Sequence, residues 1–215
     1  MYLSFSCIFR RSLVIICLFR RRLREEVDVL KHLSKAAGNA GFGTRDQTLS
    51  QAHPAALGRH PNVLGYIDSW EEEETLFIQT ELCELGNFSS FLWAYGKAFP
   101  RLDEARVWKM FADLSSGLEF IHDVGVIHLD LKPANIFVTG EGRLKIGDFG
   151  MASIWPRPVE PVATGTPNVN ASGTSGFERE GDKLYLAPEV LQGKYSKAAD
   201  IFRCVLLLTP ASVCY

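Results

Sequence analysis

Val126 to Gly150 reads VIHLDLKPANIFVTGEGRLKIGDFG, and this stretch decides the fold. Short apolar pieces (VIH, NIFV, LKIGDF) alternate with turns such as Thr139-Gly140-Glu141-Gly142. The pattern predicts small hairpins carrying polar residues, the kind of loop scaffold on which chemistry sits. Asp130, Lys132, Asn135 and Asp148 fall close together within it. Phosphoryl transfer from a nucleotide needs such a set. A carboxylate orients the attacking hydroxyl, a cation balances charge on the moving phosphoryl group, and oxygen ligands hold magnesium. Singly, each residue has a plainer reading. A lone aspartate is more often a solvated charge or cap, a lone Asp-Phe-Gly a turn, and a lone His128 a core histidine. It is their joint occurrence, in order, that argues for chemistry.

The segments around this stretch are ordered. Upstream, Arg21 to about Ala37 reads as a helix, with Leu23, Val27, Leu30 and Leu33 as its apolar stripe and Gly38 as its stop. Asn39 to Gly58, rich in Gly, Ala, Gln and Thr, reads as an inserted loop. Val63–Trp70 and Thr75–Leu82 read as a hairpin around the solvated glutamates Glu71 to Glu74. Asp103 caps a helix to about Val124, striped by Val107, Phe111, Leu114, Leu118 and Ile121 and stopped by Gly125. Downstream, Trp155 to Gly176 is rich in Pro, Gly, Ser, Thr and Asn and reads as a loop.

Composition sets wider limits. The 215 residues are 47% hydrophobic and 22% charged, a globular balance with room for one ordinary domain. A net charge of −2 gives no basic field for nucleic acid. Five cysteines without a C-x-x-C pair suit a reducing compartment better than a disulfide framework. Ser12 to Phe19 is apolar between arginines, and eight residues are too short to span a bilayer, which needs about 20. It reads as a buried strand, or as a segment foreign to the domain, and not as a secretory signal.

H-x-D-x-K-P-x-N followed by D-F-G resembles the catalytic and metal loops of eukaryotic protein kinases. The resemblance implies an α+β, bilobal kinase fold. It makes Asp130 the catalytic base and Lys132 the contact to the transferred phosphate. Asn135 and Asp148 become the magnesium ligands, and His128 and Phe149 members of a buried hydrophobic stack. Leu186-Ala187-Pro188-Glu189 is similar to the end of an activation segment. Asp200 stands where kinases brace the catalytic-loop backbone. Arg24 to Leu33 resembles the kinase C-helix, with Glu26 as the partner of a nucleotide-binding lysine. His60-Pro61-Asn62-Val63 resembles the turn after that helix. Thr80-Glu81-Leu82-Cys83 resembles the gatekeeper and hinge, where the backbone of Glu81 and Cys83 would bond adenine; taken alone, Cys83 is as well explained as a small buried hydrophobe. The implied cofactors are ATP and Mg2+.

Within the kinases, the chain most resembles the cell-cycle-inhibitory Wee/Myt type. Leu129 replaces the arginine that usually grips a phosphorylated activation loop. Glu180-Gly181-Asp182-Lys183-Leu184-Tyr185-Leu186-Ala187, Asp200-Ile201-Phe202, Ser69-Trp70 and Gln79 to Cys83 also fit that type. The implied activity is phosphorylation of a tyrosine on a cyclin-dependent kinase, restraining mitotic entry, in the nucleus or cytoplasm. The initiation-factor kinases share K-P-x-N-I-F and G-D-F-G but normally keep the arginine that Leu129 replaces, which sets them second.

The resemblance divides the chain into 1–20 (no match), 21–82 (part of a small lobe, with loop 39–58), 83–202 (part of a large lobe, with loop 155–176) and 203–215 (no match). No Gly precedes Gly38 and no Lys precedes Lys31, so neither a glycine-rich loop nor a strand lysine stands upstream of the C-helix. Arginine is not interchangeable with that lysine. The helix expected after Phe202 is not legible, and Glu189 lacks the arginine that normally meets it. The expectation is a truncated kinase domain that folds poorly alone and transfers phosphate slowly or not at all. A non-catalytic, kinase-like remnant is the reading from a different class.

Overall fold

Leu13–Leu18 is the centre of the first layer. In the computed structural model it forms strand β2, which pairs antiparallel with β1 (Ser6–Arg10) on one side and with β4 (Thr75–Glu81) on the other. β3 (Tyr66–Glu72) closes the sheet against β4, so the order is β1-β2-β4-β3. The apolar run therefore becomes a strand, as its composition predicts. The structure describes residues 6–10, 13–18, 23–39, 59–72, 75–99, 101–155, 185–192 and 195–208. Nearly all of the loops expected at 39–58 and 155–176, the whole of Glu180 to Leu184 and the tail after 208 lie outside them.

Helix α1 (Leu23–Asn39) lays one face on β3. Val27, Leu30, Leu33 and Ala37 recur at three and four residues and are buried, as an amphipathic helix requires. The helix runs through Gly38 instead of stopping there. An exposed glycine in a final turn costs only about 1 kcal/mol, and it does not need to end the helix.

The second layer is mainly helical: α2 (Phe88–Ala98), α3 (Glu104–Asp123) and α4 (Lys197–Leu207). α2 has no counterpart in the expectations. Its signals are an Asn87 cap, whose side chain accepts from Ser90 N at 2.9 Å, and an aromatic ladder, Phe88, Phe91, Tyr95 and Phe99, at helical spacing. Asp103 does precede α3, but its side chain makes no capping bond. The buried stripe of α3 is Met110, Leu114, Leu118 and Ile121, one residue out of phase with the expected start. Phe111 is exposed and meets Trp108 edge-on. Residues 203–207 also correct the reading that the helical pattern ends at Phe202. Arg203, Cys204 and Leu207 continue the buried face begun by Ala199 and Asp200, and α4 runs unbroken to Leu207.

Between α3 and α4 the chain pairs short strands where small hairpins are expected. Only one of them is a true hairpin, β6 (Ile136–Val138) with β7 (Leu144–Ile146), while β5 (Val126–Ile127) pairs with β8 (Ser153–Ile154) around it. Gly125 ends α3 with φ of 76°, a left-handed turn that glycine adopts at little cost. A continuous core joins Val27 and Leu30 of α1, Tyr66 and Ile78 of the sheet, Leu114 and Ile121 of α3, and Ile136 and Ile146 of the β6–β7 hairpin. The two lobes thus share apolar contacts beneath the site. Among the described residues, no helix is long and apolar enough to cross a membrane.

Gly117 of α3 lies against residues 60–65, which run between α3 and β7. An added Cβ would sit 2.5 Å from the Asn62 carbonyl oxygen. Alanine in a helix interior normally gains about 1 kcal/mol over glycine. Here the clash is with backbone, so Gly117→Ala is expected to destabilise by about 1–3 kcal/mol. A thermal melt checks this, and a rise in midpoint would contradict the packing described.

Candidate active site

The loop from His128 to Asn135 is built on one buried carboxylate. Asp200 of α4 has no solvent exposure. Its Oδ1 accepts from Leu129 N at 2.8 Å, and its Oδ2 accepts from His128 N at 2.8 Å and from His122 Nε2 at 2.9 Å. A buried charge of this kind persists only when fully hydrogen-bonded. The bracing holds Leu129 at φ of 64°, a left-handed conformation that costs a branched residue of order 1–3 kcal/mol. Asp200 thus takes the place that the motifs give it. His128 Nδ1 accepts from Asp130 N at 3.3 Å, so its Nε2 carries the proton and donates to Gly147 O at 3.0 Å. The His128 ring lies 5.0 Å from that of Phe149, both buried, which ties the catalytic loop to the Asp-Phe-Gly turn.

Asp130, Lys132 and Asn135 converge. Lys132 Nζ lies 2.8 Å from Asp130 Oδ2. Asn135 Nδ2 donates to Asp130 O at 2.8 Å and to its Oδ2 at 2.9 Å. With its amide nitrogen facing Asp130, Asn135 turns its amide oxygen the other way. Gly147 N donates to Asn135 O at 2.9 Å, so the residue before Asp148 is fastened to the same turn. Asp148 itself is exposed, at φ of 57°, and among the described residues its Oδ1 accepts only a long bond from Gly150 N at 3.4 Å. An amide oxygen and an open carboxylate are the hard donors that magnesium takes, together with water and nucleotide phosphates. These residues fit Mg2+ bound with ATP. Such a pair falls short of an all-protein cage, and no group of three or more acidic, His or Cys side chains stands together among the described residues.

The remaining candidates divide. Thr80 is buried and its hydroxyl donates to Glu81 O at 3.3 Å. Glu81 N donates to Gly65 O at 2.9 Å, so that N–H is engaged within the small lobe, and a base could meet only the second lone pair of the carbonyl that Thr80 already reaches. The Glu81 carboxylate instead ties elements together. Its Oε1 accepts from Gly65 N at 2.6 Å and lies 2.9 Å from Lys145 Nζ, a buried cation on β7 that the motifs did not single out. Burial, with the charges of Glu81 and Glu84 adding to it, pushes the Cys83 thiol up to about 12. Cys83 is therefore a protonated, buried thiol that lends its backbone to the hinge turn, its carbonyl accepting from Gly86 N at 3.0 Å.

Glu26 is buried and makes no ion pair among the described residues. In place of a lysine it meets the metal loop. Its Oε2 is 3.5 Å from where a Cβ on Gly150 would sit. Burial raises its carboxyl to about 8, the Asp148 charge adds to the rise, and a hydrogen bond with the Phe149 backbone opposes it. A second group beyond the motifs is Arg203, fully buried on α4 with Nη1 at 3.4 Å from Asp130 Oδ1.

A hinge, a braced Asp-x-Lys-x-x-Asn loop and an Asp-Phe-Gly turn, set between a sheet and a helical layer, define a protein kinase site. Comparison agrees: the family described as protein kinase domain matches residues 16–211, and the chain belongs to it. The match runs past both limits, 21 and 202, drawn from the motifs. Among curated relatives, the chain is similar to the mitosis inhibitor protein kinase wee1 of Schizosaccharomyces pombe, 49% identical over 148 residues, or 68% of this chain and 15% of that protein. It is 42% identical over 149 residues to the mitosis inhibitor protein kinase SWE1 of Saccharomyces cerevisiae, 68% of this chain and 16% of that one. A third relative is the membrane-associated tyrosine- and threonine-specific cdc2-inhibitory kinase wee-1.3 of Caenorhabditis briggsae, 38% identical over 143 residues, 66% of this chain and 19% of that protein. The chain spans less than a fifth of the length of each of these three.

The state of Glu26 sets a pH dependence. Between its ordinary value of 4.5 and about 8, the unfolded chain has lost this proton and the folded chain keeps it. The folded state binds more protons there, so stability falls as pH rises through that window. In magnesium-free buffer, the denaturation midpoint is expected to fall from pH 5 to pH 8, and Glu26→Gln is expected to flatten that fall. An unchanged slope in the variant would place Glu26 outside the buried pocket described.

Proposed function

We propose that this chain is the catalytic part of a Wee-type protein kinase, which transfers phosphate from ATP to a tyrosine of a cyclin-dependent kinase and so restrains mitotic entry. The observation that carries the reading is the convergence of Asp130, Lys132 and Asn135 on a loop braced by Asp200, beside the open carboxylate of Asp148. Asp130 orients the attacking hydroxyl and accepts its proton, and Lys132 balances charge on the group in transfer. Asn135 and Asp148 hold magnesium, and the hinge from Thr80 to Cys83 receives the adenine. Magnesium-bound ATP supplies the transferable phosphoryl group and screens its charge. Tyrosine as acceptor is supported by the wee-1.3 relative, whose name states tyrosine and threonine specificity and inhibition of cdc2.

Glu26 favours slow turnover. A kinase of this design needs its helix glutamate ionised and paired with a lysine on the nucleotide. Here the carboxyl is buried with no cation beside it among the described residues, and it holds its proton up to about pH 8. That observation keeps a second reading in view, a kinase-like chain that binds partners without turnover.

Nucleotide binding separates the two. In a thermal-shift assay on the 215-residue chain, ATP with magnesium is expected to raise the melting midpoint more than ATP alone, and Asp148→Asn is expected to abolish the magnesium-dependent part. Weak transfer to a tyrosine peptide from a cyclin-dependent kinase should accompany that shift. A midpoint indifferent to magnesium and ATP would remove the enzymatic reading.

A further inference from the structure

Asp200 and Arg203 stand one turn apart on α4, both on its buried face. Asp200 grips the loop backbone at His128 and Leu129. Arg203 reaches the next residue, placing Nη1 at 3.4 Å from Asp130 Oδ1. One helix face therefore holds three consecutive loop residues, two by backbone and one by side chain.

The Asp130 carboxylate sits between two unlike cations. The Arg203 side chain is 1% exposed and lies on the interior side, at Oδ1. The Lys132 side chain is 26% exposed and meets Oδ2, together with Asn135 Nδ2. A partly solvated lysine pair is weak and exchangeable, whereas a buried pair cannot open without stranding a charge. An incoming hydroxyl can displace Lys132, which leaves the lysine free to follow the phosphoryl group. It cannot displace Arg203. The planar guanidinium is pre-organised for a carboxylate, and its Nη1 contact at Oδ1 restrains the rotation that Asn135 Nδ2 and Lys132 Nζ set at Oδ2.

We propose that Arg203 is a positioning residue for Asp130: it holds Oδ1 from the interior and commits Oδ2 to the substrate hydroxyl. The proposal rests on the reading of Asp130 as general base, but its contact can be tested apart from turnover. It also gives a role to a position that the sequence motifs leave silent.

The test uses the full chain, with Arg203→Met, Asp130→Asn and the double variant, followed by thermal melts. Arg203→Met takes one of two cations from the Asp130 carboxylate, Asp130→Asn takes the carboxylate from the Arg203 guanidinium, and the double change removes both partners of the contact. The double variant is therefore expected to melt higher than the sum of the two single losses requires. Additive losses would overturn the proposal. Should Arg203→Met alone fail to fold, a cooperative melt regained on adding Asp130→Asn is the same coupling, and no recovery overturns it. In phosphoryl transfer, Arg203→Met is expected to lower kcat roughly 10²-fold while KM for ATP stays unchanged, the mark of a misplaced base. Arg203→Lys, which keeps a cation and most of the stem, should recover part of the rate. An unaltered kcat, or kcat and KM shifting together, would make Arg203 merely structural. If the parent chain transfers no phosphate, the functional reading fails, and the melting cycle still decides whether the contact exists.

Discussion

A single carboxylate, that of Asp200, carries the site. It is removed from water altogether, and it accepts three hydrogen bonds from two segments of the chain. An ionised group in that position would cost several kcal/mol if any of those donors were lost. The donors are therefore held as firmly as the core itself. Two of them are successive backbone amides, and fixing both forces Leu129 into the left-handed region. That turn aims Asp130 toward Lys132 and Asn135 instead of along a strand. His122 at the end of α3 gives the third bond, so α3, α4 and the loop are tied together at one carboxylate.

From this anchor the site spreads by short links. His128 passes the constraint to Gly147, and Asn135 passes it to the same residue from the other side. Asp148 follows at once, open to solvent. On the far side, Glu81 and Lys145 tie the hinge to β7, the strand that leads into that aspartate. Hinge, catalytic loop and metal loop are thus connected through backbone and buried ion pairs, not through the exposed loops. Glu26 is the exception. It is set against Asp148 with no cation among the described residues, and ionising it there would put two like charges together. The proton that it retains relieves this repulsion and also removes the charge that a nucleotide-binding lysine would seek.

The turn that gathers Asp130, Lys132 and Asn135 was legible in the sequence because its geometry is local. Asp130, Lys132 and Asn135 lie within one turn of chain, and the turns around them are written in Pro, Gly and Asn. Helices α1 and α3 were legible from their periodicity. What escaped was set by contacts between distant segments. Arg203 reaches Asp130 across 73 residues, and Lys145 reaches Glu81 across the hinge, and neither belongs to a short motif. Residues 203–207 look like a broken pattern when read forward from Phe202. They read as a helix face only once Ala199 and Asp200 are known to be buried. α2 was missed although its signals were there to be found, the Gly86 turn after the hinge, the Asn87 cap and the aromatic spacing that follows.

The central claim is that Asp200 builds the catalytic loop from beneath, and amide hydrogen exchange at His128 and Leu129 tests it most directly. The account predicts that both amides exchange as slowly as those of the core strand β7, opening only with the whole fold, and that Asp200→Asn speeds both while β7 changes less. Exchange at the rate of an exposed loop in the unaltered chain would contradict it, because the two bonds on which the loop's conformation depends would then not be formed.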